Sequence, residues 1–144
     1  MEDTEIKSRT PDTMEAMALM GYCRAHKLRG VEILDGITCE RAAELYNGIG
    51  AGWMGAELRN KLTSMLFVLE PAAFLHDLTY SLSADRSREA FDRANRDLLA
   101  NCLLCTWDRV PLASVRFFRT VAAAVAMYGA CRDFGWRAWE EAAQ

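Results

Sequence analysis

Hydrophobic positions in this chain recur mainly every three to four residues, a pattern that predicts helices joined by short polar or glycine-containing breaks. A first helix is expected from a cap at Asp12 or Thr13 to about Leu28, with MEAMALM as its core stripe. Gly30 to Gly36 reads as a connection with a short extended piece at Val31 to Leu34. Thr38 then caps a short helix, Cys39 to Tyr46, that leads into the glycine-rich YNGIGAGW. Trp53, Met54, Leu58, Leu62 and Met65 lie on or near one side of a further helix ending near Phe67. Pro71 suits a first helical turn, where its missing N–H costs nothing, so the next helix is expected from about Pro71 to Leu82. Asp85 reads as the cap of Arg86 to Thr106, and a last helix runs from about Pro111 to Glu141, with Gly129 and Gly135 as kinks or points of close approach. The expected fold class is all-α: a disordered stretch at 1–10, then one small helical domain over 11–144.

Within PAAFLHDLTY, from Pro71 to Tyr80, two titratable residues interrupt an apolar run. His76 and Tyr80 fall near one face at i, i+4, and Asp77 points about 100° away from His76. The pair therefore serves neighbouring but different sites. If the turn after this helix centres near Ala84, His76 lies eight residues before it and Asp92 eight after, so the two stand level across an antiparallel helix pair. Asp92 falls beside Phe91 and Asn95, which belong to the inward stripe of the second helix. A carboxylate there would hold one imidazole nitrogen, fix the tautomer and leave the other nitrogen as a general base. The same two residues also read as a buried histidine satisfied by an aspartate for packing.

Gly48, Gly50 and Gly52 alternate in the segment upstream, which lets backbone carbonyls converge on one point. Hard cations such as calcium take several oxygens of that kind plus a carboxylate, and Asp77 is available. Without a preceding strand or a following Lys-Ser/Thr pair, the segment is not a nucleotide-phosphate loop.

Together these residues resemble the phospholipase A2 superfamily. The shared pattern is Tyr-x-Gly-x-Gly at Tyr46, Gly48 and Gly50, then His-Asp-x-x-Tyr from His76 to Tyr80, then Asp92 on the following helix. YGACRDFG, from Tyr128 to Gly135, looks like part of the last helix in the bacterial and phage-associated branch. The resemblance covers roughly Tyr46 to Trp139. It implies a glycine-rich loop in which calcium (Ca2+) is held by the carbonyls of Tyr46, Gly48 and Gly50 and by the Asp77 carboxylate. It also implies His76 as the base, Asp92 as its orienting partner and Tyr80 as a donor to Asp92. Hydrolysis of a glycerophospholipid acyl ester would follow; the stripe that begins at Trp53 and Met54 reads either as ordinary core packing or as a collar that contacts the phospholipid membrane surface. Leu75 and Leu78 stand where animal members carry disulfide-bonded cysteines, and Ala51 stands where a glycine often follows the loop.

Composition narrows the alternatives. A net charge of −3 argues against a nucleic-acid partner, and the longest apolar run, Val121 to Cys131, is too short for a transmembrane segment. The polar, acidic MEDTEIKSRT does not read as a signal peptide, so the expected site of synthesis is cytoplasmic, with release by lysis or carriage in a phage particle. Five cysteines, an odd number, suggest reduced thiols. Cys23-x-x-His26 with Cys102-x-x-Cys105 offers a rival three-cysteine, one-histidine zinc site. Gly-x-Ser-x-Gly is absent, which argues against a serine esterase. The non-enzymatic alternative is a phospholipase A2-like phage or prophage protein that keeps the fold for packing or partner binding.

Overall fold

A computed structural model of the chain describes residues 13–46 and 67–142. Among these residues the secondary structure is entirely helical. The α-helices are α1 (Thr13–Ala25), α2 (Cys39–Leu45), α3 (Glu70–Leu82), α4 (Arg88–Arg109), α5 (Val115–Phe134) and α6 (Trp136–Ala142), with 3-10 turns at Val31–Leu34 and Phe67–Leu69.

Helix α3 is the centre of the packing, in contact with α1, α2, α4 and α6. Its sequence explains this position. EPAAFLHDLTYSL is apolar on most sides, and Pro71, Ala72, Ala73, Phe74, Leu75 and Leu78 are all buried. A helix with apolar residues around most of its circumference is stable in water only when neighbours enclose it. Pro71 sits in the first turn, as its fixed φ and missing donor favour. At the other end Ser83 N–H donates to the Thr79 carbonyl at 3.1 Å and the helix stops.

Helices α3 and α4 form the expected antiparallel pair of long helices. Its start differs from the sequence expectation. Ser87, rather than Asp85, is the N-cap, its hydroxyl accepting from Ala90 N–H at 3.1 Å, while the Asp85 carboxylate accepts from Ser87 N–H at 2.9 Å. Arg86 stands outside the helix, and its guanidinium lies over the Trp139 ring at 3.8 Å. It also donates to the Tyr80 carbonyl at 2.6 Å and to the Trp139 carbonyl.

Other boundaries also move. Helix α1 ends at Ala25 because Lys27 takes a left-handed conformation (φ 50). Leu28 N–H then reaches the Cys23 carbonyl at 3.1 Å and Lys27 N–H the Arg24 carbonyl at 3.2 Å, a Schellman closure with buried Leu28 as its apolar contact. Val31–Leu34 is a 3-10 turn and not an extended piece. Thr38 caps α2 as expected, its side chain accepting from Arg41 N–H at 3.1 Å. The single last helix expected from the sequence is two, α5 and α6, divided at Gly135. No helix among the described residues is long and apolar enough to cross a membrane.

Candidate functional site

The buried face of α3 carries His76 and Tyr80 one turn apart, with ring centroids 4.3 Å from each other. Across the helix pair both reach one atom, the side-chain oxygen of Asn95. His76 Nε2 lies 2.9 Å from Asn95 Oδ1, and Tyr80 O–H donates to the same oxygen at 2.8 Å. Oδ1 is the amide atom that accepts from both, so Nε2 carries the imidazole proton and Nδ1 holds the lone pair. Asn95 Nδ2 has no hydrogen-bond partner among the described residues.

Asp92 does not occupy the place expected of it. Its carboxylate faces Arg88 at 3.7 Å on the outer side of α4, with 44% of its side chain exposed. The later start of α4 accounts for the change. His76 and Asn95 are equidistant from a point between Asp85 and Arg86, one to two residues beyond the Ala84 centre read from the sequence. With the turn centre displaced, Asn95 is the residue level with His76. It was visible in the sequence as a polar side chain on the inward stripe of Phe91 and Leu98, the signal that could have singled it out.

Burial sets the electrostatics. It pushes the His76 pKa down to about 4, against the opposing effect of the Asn95 hydrogen bond. His76 is therefore neutral at pH 7. The Tyr80 phenol is pushed up, first by burial and then by the neighbouring Cys131 thiol, so it remains a donor. Asp77 lies to the other side of the imidazole, with Oδ1 3.9 Å from Nδ1 and 22% of its side chain exposed.

Tyr80 is held by a second layer. Trp139 packs edge-on against its ring at 5.2 Å, and Phe91 lies 6.0 Å away. Gly135 completes the fit, because a Cβ there would stand 2.8 Å from the Tyr80 hydroxyl and would also collide with the Cys131 carbonyl. The sequence suggested close approach at Gly135. Its dependence on Tyr80 became visible only with the helices assembled.

Of the oxygens expected to hold calcium, Tyr46 and Asp77 are described, whereas Gly48 and Gly50 lie outside the described residues, as do Trp53 and Met54. Tyr46 ends α2 in an extended conformation, with its ring edge-on to Phe74 at 5.3 Å. Its phenol is pushed up by burial first and then by the charges of Glu70 and Asp77. Carboxylate and carbonyl oxygens are the donors that calcium prefers, so the described part of the set fits that ion in chemistry.

The rival zinc set does not assemble. Cys23, Cys102 and Cys105 are buried thiols, and Cys23 Sγ donates to the Pro71 carbonyl at 3.5 Å. His26 instead faces Asp108 at 3.8 Å on the surface and stacks on Tyr22. Burial pushes the Cys23 thiol up to about 12. No protein-family model, curated protein or solved structure matches this chain.

Proposed function

We propose that the chain is a phospholipase A2-like hydrolase in which His76 activates water for cleavage of a glycerophospholipid acyl ester, with Asn95 in the orienting position. The observation that carries this reading is the convergence of His76 Nε2 and Tyr80 O–H on Asn95 Oδ1. It leaves the Nδ1 lone pair on the side of Asp77, where a base is needed if Asp77 helps to hold the metal. Calcium bound by Asp77 and the carbonyls of Tyr46, Gly48 and Gly50 would supply positive charge for the developing oxyanion.

The chain's own residues divide the remaining work. Neutral His76 takes the proton of a water at Nδ1, and Nε2–H stays bound to Asn95 throughout. Tyr80 shares the same oxygen and keeps the amide from turning. An amide fixes tautomer and orientation but brings no negative charge, so it steadies the imidazolium less than a carboxylate would. Turnover should therefore be slower than with a carboxylate in the place of Asn95.

One observation favours a second reading. The His76 side chain is only 7% exposed and its partner is neutral, which also suits a purely structural His–Asn–Tyr network that fixes the register of α3 against α4. Fatty-acid release from mixed phospholipid vesicles, with calcium and with a chelator, separates the two. The hydrolase reading expects calcium-dependent release, abolished by His76→Gln in a folded protein and little changed by Asp92→Asn. Absence of release from the wild-type chain in saturating calcium, with Asn95→Ala costing ~1–3 kcal/mol of stability, would leave the structural network.

A further inference from the structure

Far from His76, the turn between α4 and α5 presents an unusual surface. Helix–helix turns are ordinarily polar. Here Trp107 (69%), Leu112 (64%), Val115 (69%) and Phe118 (62%) are all exposed. Trp107 and Phe118 flank the turn at nearly equal distances, with Leu112 at its apex, so the four side chains crown one end of the helix pair. Asn95 and Trp107 are twelve residues apart on α4, which places the crown ~18 Å along the helix from the His76 site.

The charges around this crown have one dominant sign. Arg109, Arg116 and Arg119 are exposed there, in a chain whose net charge is −3. The one acid among them, Asp108, is already engaged by the Tyr22 hydroxyl at 2.8 Å and by His26 at 3.8 Å. Arg109 lies over the Tyr22 ring at 4.0 Å and Arg116 over the exposed Phe67 ring at 5.6 Å, so their charged heads project beside apolar surface.

The turn also satisfies much of its own backbone. Val110 N–H donates to the Thr106 carbonyl at 2.9 Å and Ser114 N–H to the Pro111 carbonyl at 3.2 Å. The Ser114 hydroxyl donates to Pro111 O at 2.7 Å and accepts from Phe117 N–H at 3.1 Å. Pro111 has no N–H to satisfy. Backbone groups already paired cost less to remove from water, the requirement for any segment that enters a lipid headgroup layer.

We infer that this crown is a membrane-docking surface, with Trp107, Leu112, Val115 and Phe118 entering the headgroup region of an anionic phospholipid bilayer and Arg109, Arg116 and Arg119 meeting lipid phosphates. Charge complementarity favours this occupant, as does the small number of apolar side chains. Four exposed apolar side chains about one turn with flanking arginines suit a lipid boundary, where a standard protein interface takes about 20–30 residues a side. The inference stands apart from the hydrolytic reading, since docking needs neither turnover nor calcium. It rests on described residues alone, whereas the Trp53 and Met54 collar read from the sequence lies outside them.

Cosedimentation of the full chain with vesicles, in the presence of a chelator, tests it. Vesicles of phosphatidylglycerol and phosphatidylcholine should pellet the protein, and vesicles of phosphatidylcholine alone should pellet much less. The double variant Leu112→Ser with Phe118→Ser should bind the anionic vesicles about tenfold more weakly. Arg116→Gln with Arg119→Gln should weaken binding severalfold and flatten its salt dependence. Met14→Ser, at an exposed apolar position on α1, should change nothing. Circular dichroism verifies that each variant is folded. Wild-type protein that fails to pellet with anionic vesicles, or tip variants that bind as the wild type does, would overturn the inference. So would sedimentation analysis showing a dimer that Leu112→Ser disperses, since the crown would then be a self-association surface. Vesicle binding without fatty-acid release would retain this surface and reject the hydrolase.

Discussion

Helix α4 carries large apolar side chains toward both ends, and those side chains meet opposite fates. In its first half Ala90, Phe91, Ala94 and Leu98 are buried, and Trp136 and Trp139 of α6 stand edge-on to Phe91 at 5.2 and 5.9 Å. In its last turns Cys102, Cys105 and Thr106 continue the buried side, while the large apolar residues Leu103, Leu104 and Trp107 lie on the outer side and are exposed. Trp139 is 1% exposed and Trp107 69%, although both come from helices of mixed polarity. What separates them is the chain's return. Gly135 breaks the last helical stretch so that α6 folds back over the start of α4, and Arg86 fastens it there through stacking and hydrogen bonds. The comparison teaches that the inward stripe from Phe91 to Cys105 is buried along the whole helix, whereas a large aromatic residue outside such a stripe, as Trp107 is, stays exposed unless another segment folds over it.

The largest expected effect breaks the comparison directly. Trp139→Ala should cost ~3–5 kcal/mol, because it empties a site enclosed by Tyr80, Phe91 and Arg86, whereas Trp107→Ala should stay within ~0.5 kcal/mol. Urea unfolding of both variants measures the difference; equal losses would refute the contrast between the enclosed Trp139 and the exposed Trp107.

The next effect is a pH dependence at the enclosed His76. Burial lowers the His76 pKa from 6.5 to about 4 in the folded chain. Above pH 6.5 the histidine is neutral in both states and contributes no slope. As pH falls from 6.5 toward 4 the unfolded chain takes up a proton that the folded chain refuses, so stability drops, by up to ~3 kcal/mol at the limit. Urea midpoints between pH 7 and 4.5 should fall more steeply for the wild type than for His76→Gln. Parallel curves would mean that His76 is not shielded from solvent.

The smallest effect probes the fit around Tyr80. Tyr80→Phe removes one hydrogen bond to Asn95, worth ~1 kcal/mol. Gly135→Ala would place a methyl 2.8 Å from that hydroxyl, so it should cost less in the Tyr80→Phe background than in the wild type. Strict additivity in the double-mutant cycle would show that the two residues do not share the space.

Several features were legible in the sequence for local reasons. The Thr38 cap, Pro71 in the first turn of α3 and the burial of His76 among apolar neighbours follow from side-chain chemistry within a few residues. The turn before α4 was harder, because Asp85 and Ser87 are both good caps. Local propensity cannot rank them when the deciding contacts come from elsewhere. Arg86 is drawn out of the helix by Trp139, 53 residues away, and Ser87 becomes the cap.

The sequence by itself determined an all-helical chain, the faces its helices bury and the presence of an imidazole on one of those faces, since each depends on periodicity and local chemistry. Only the tertiary structure decided that His76 meets Asn95 while Asp92 turns outward to Arg88. Partner choice across two helices depends on their relative register. A displacement of one to two residues at the turn brings a different side chain level with the histidine, and here that displacement is fixed by an arginine and a tryptophan far apart in the chain.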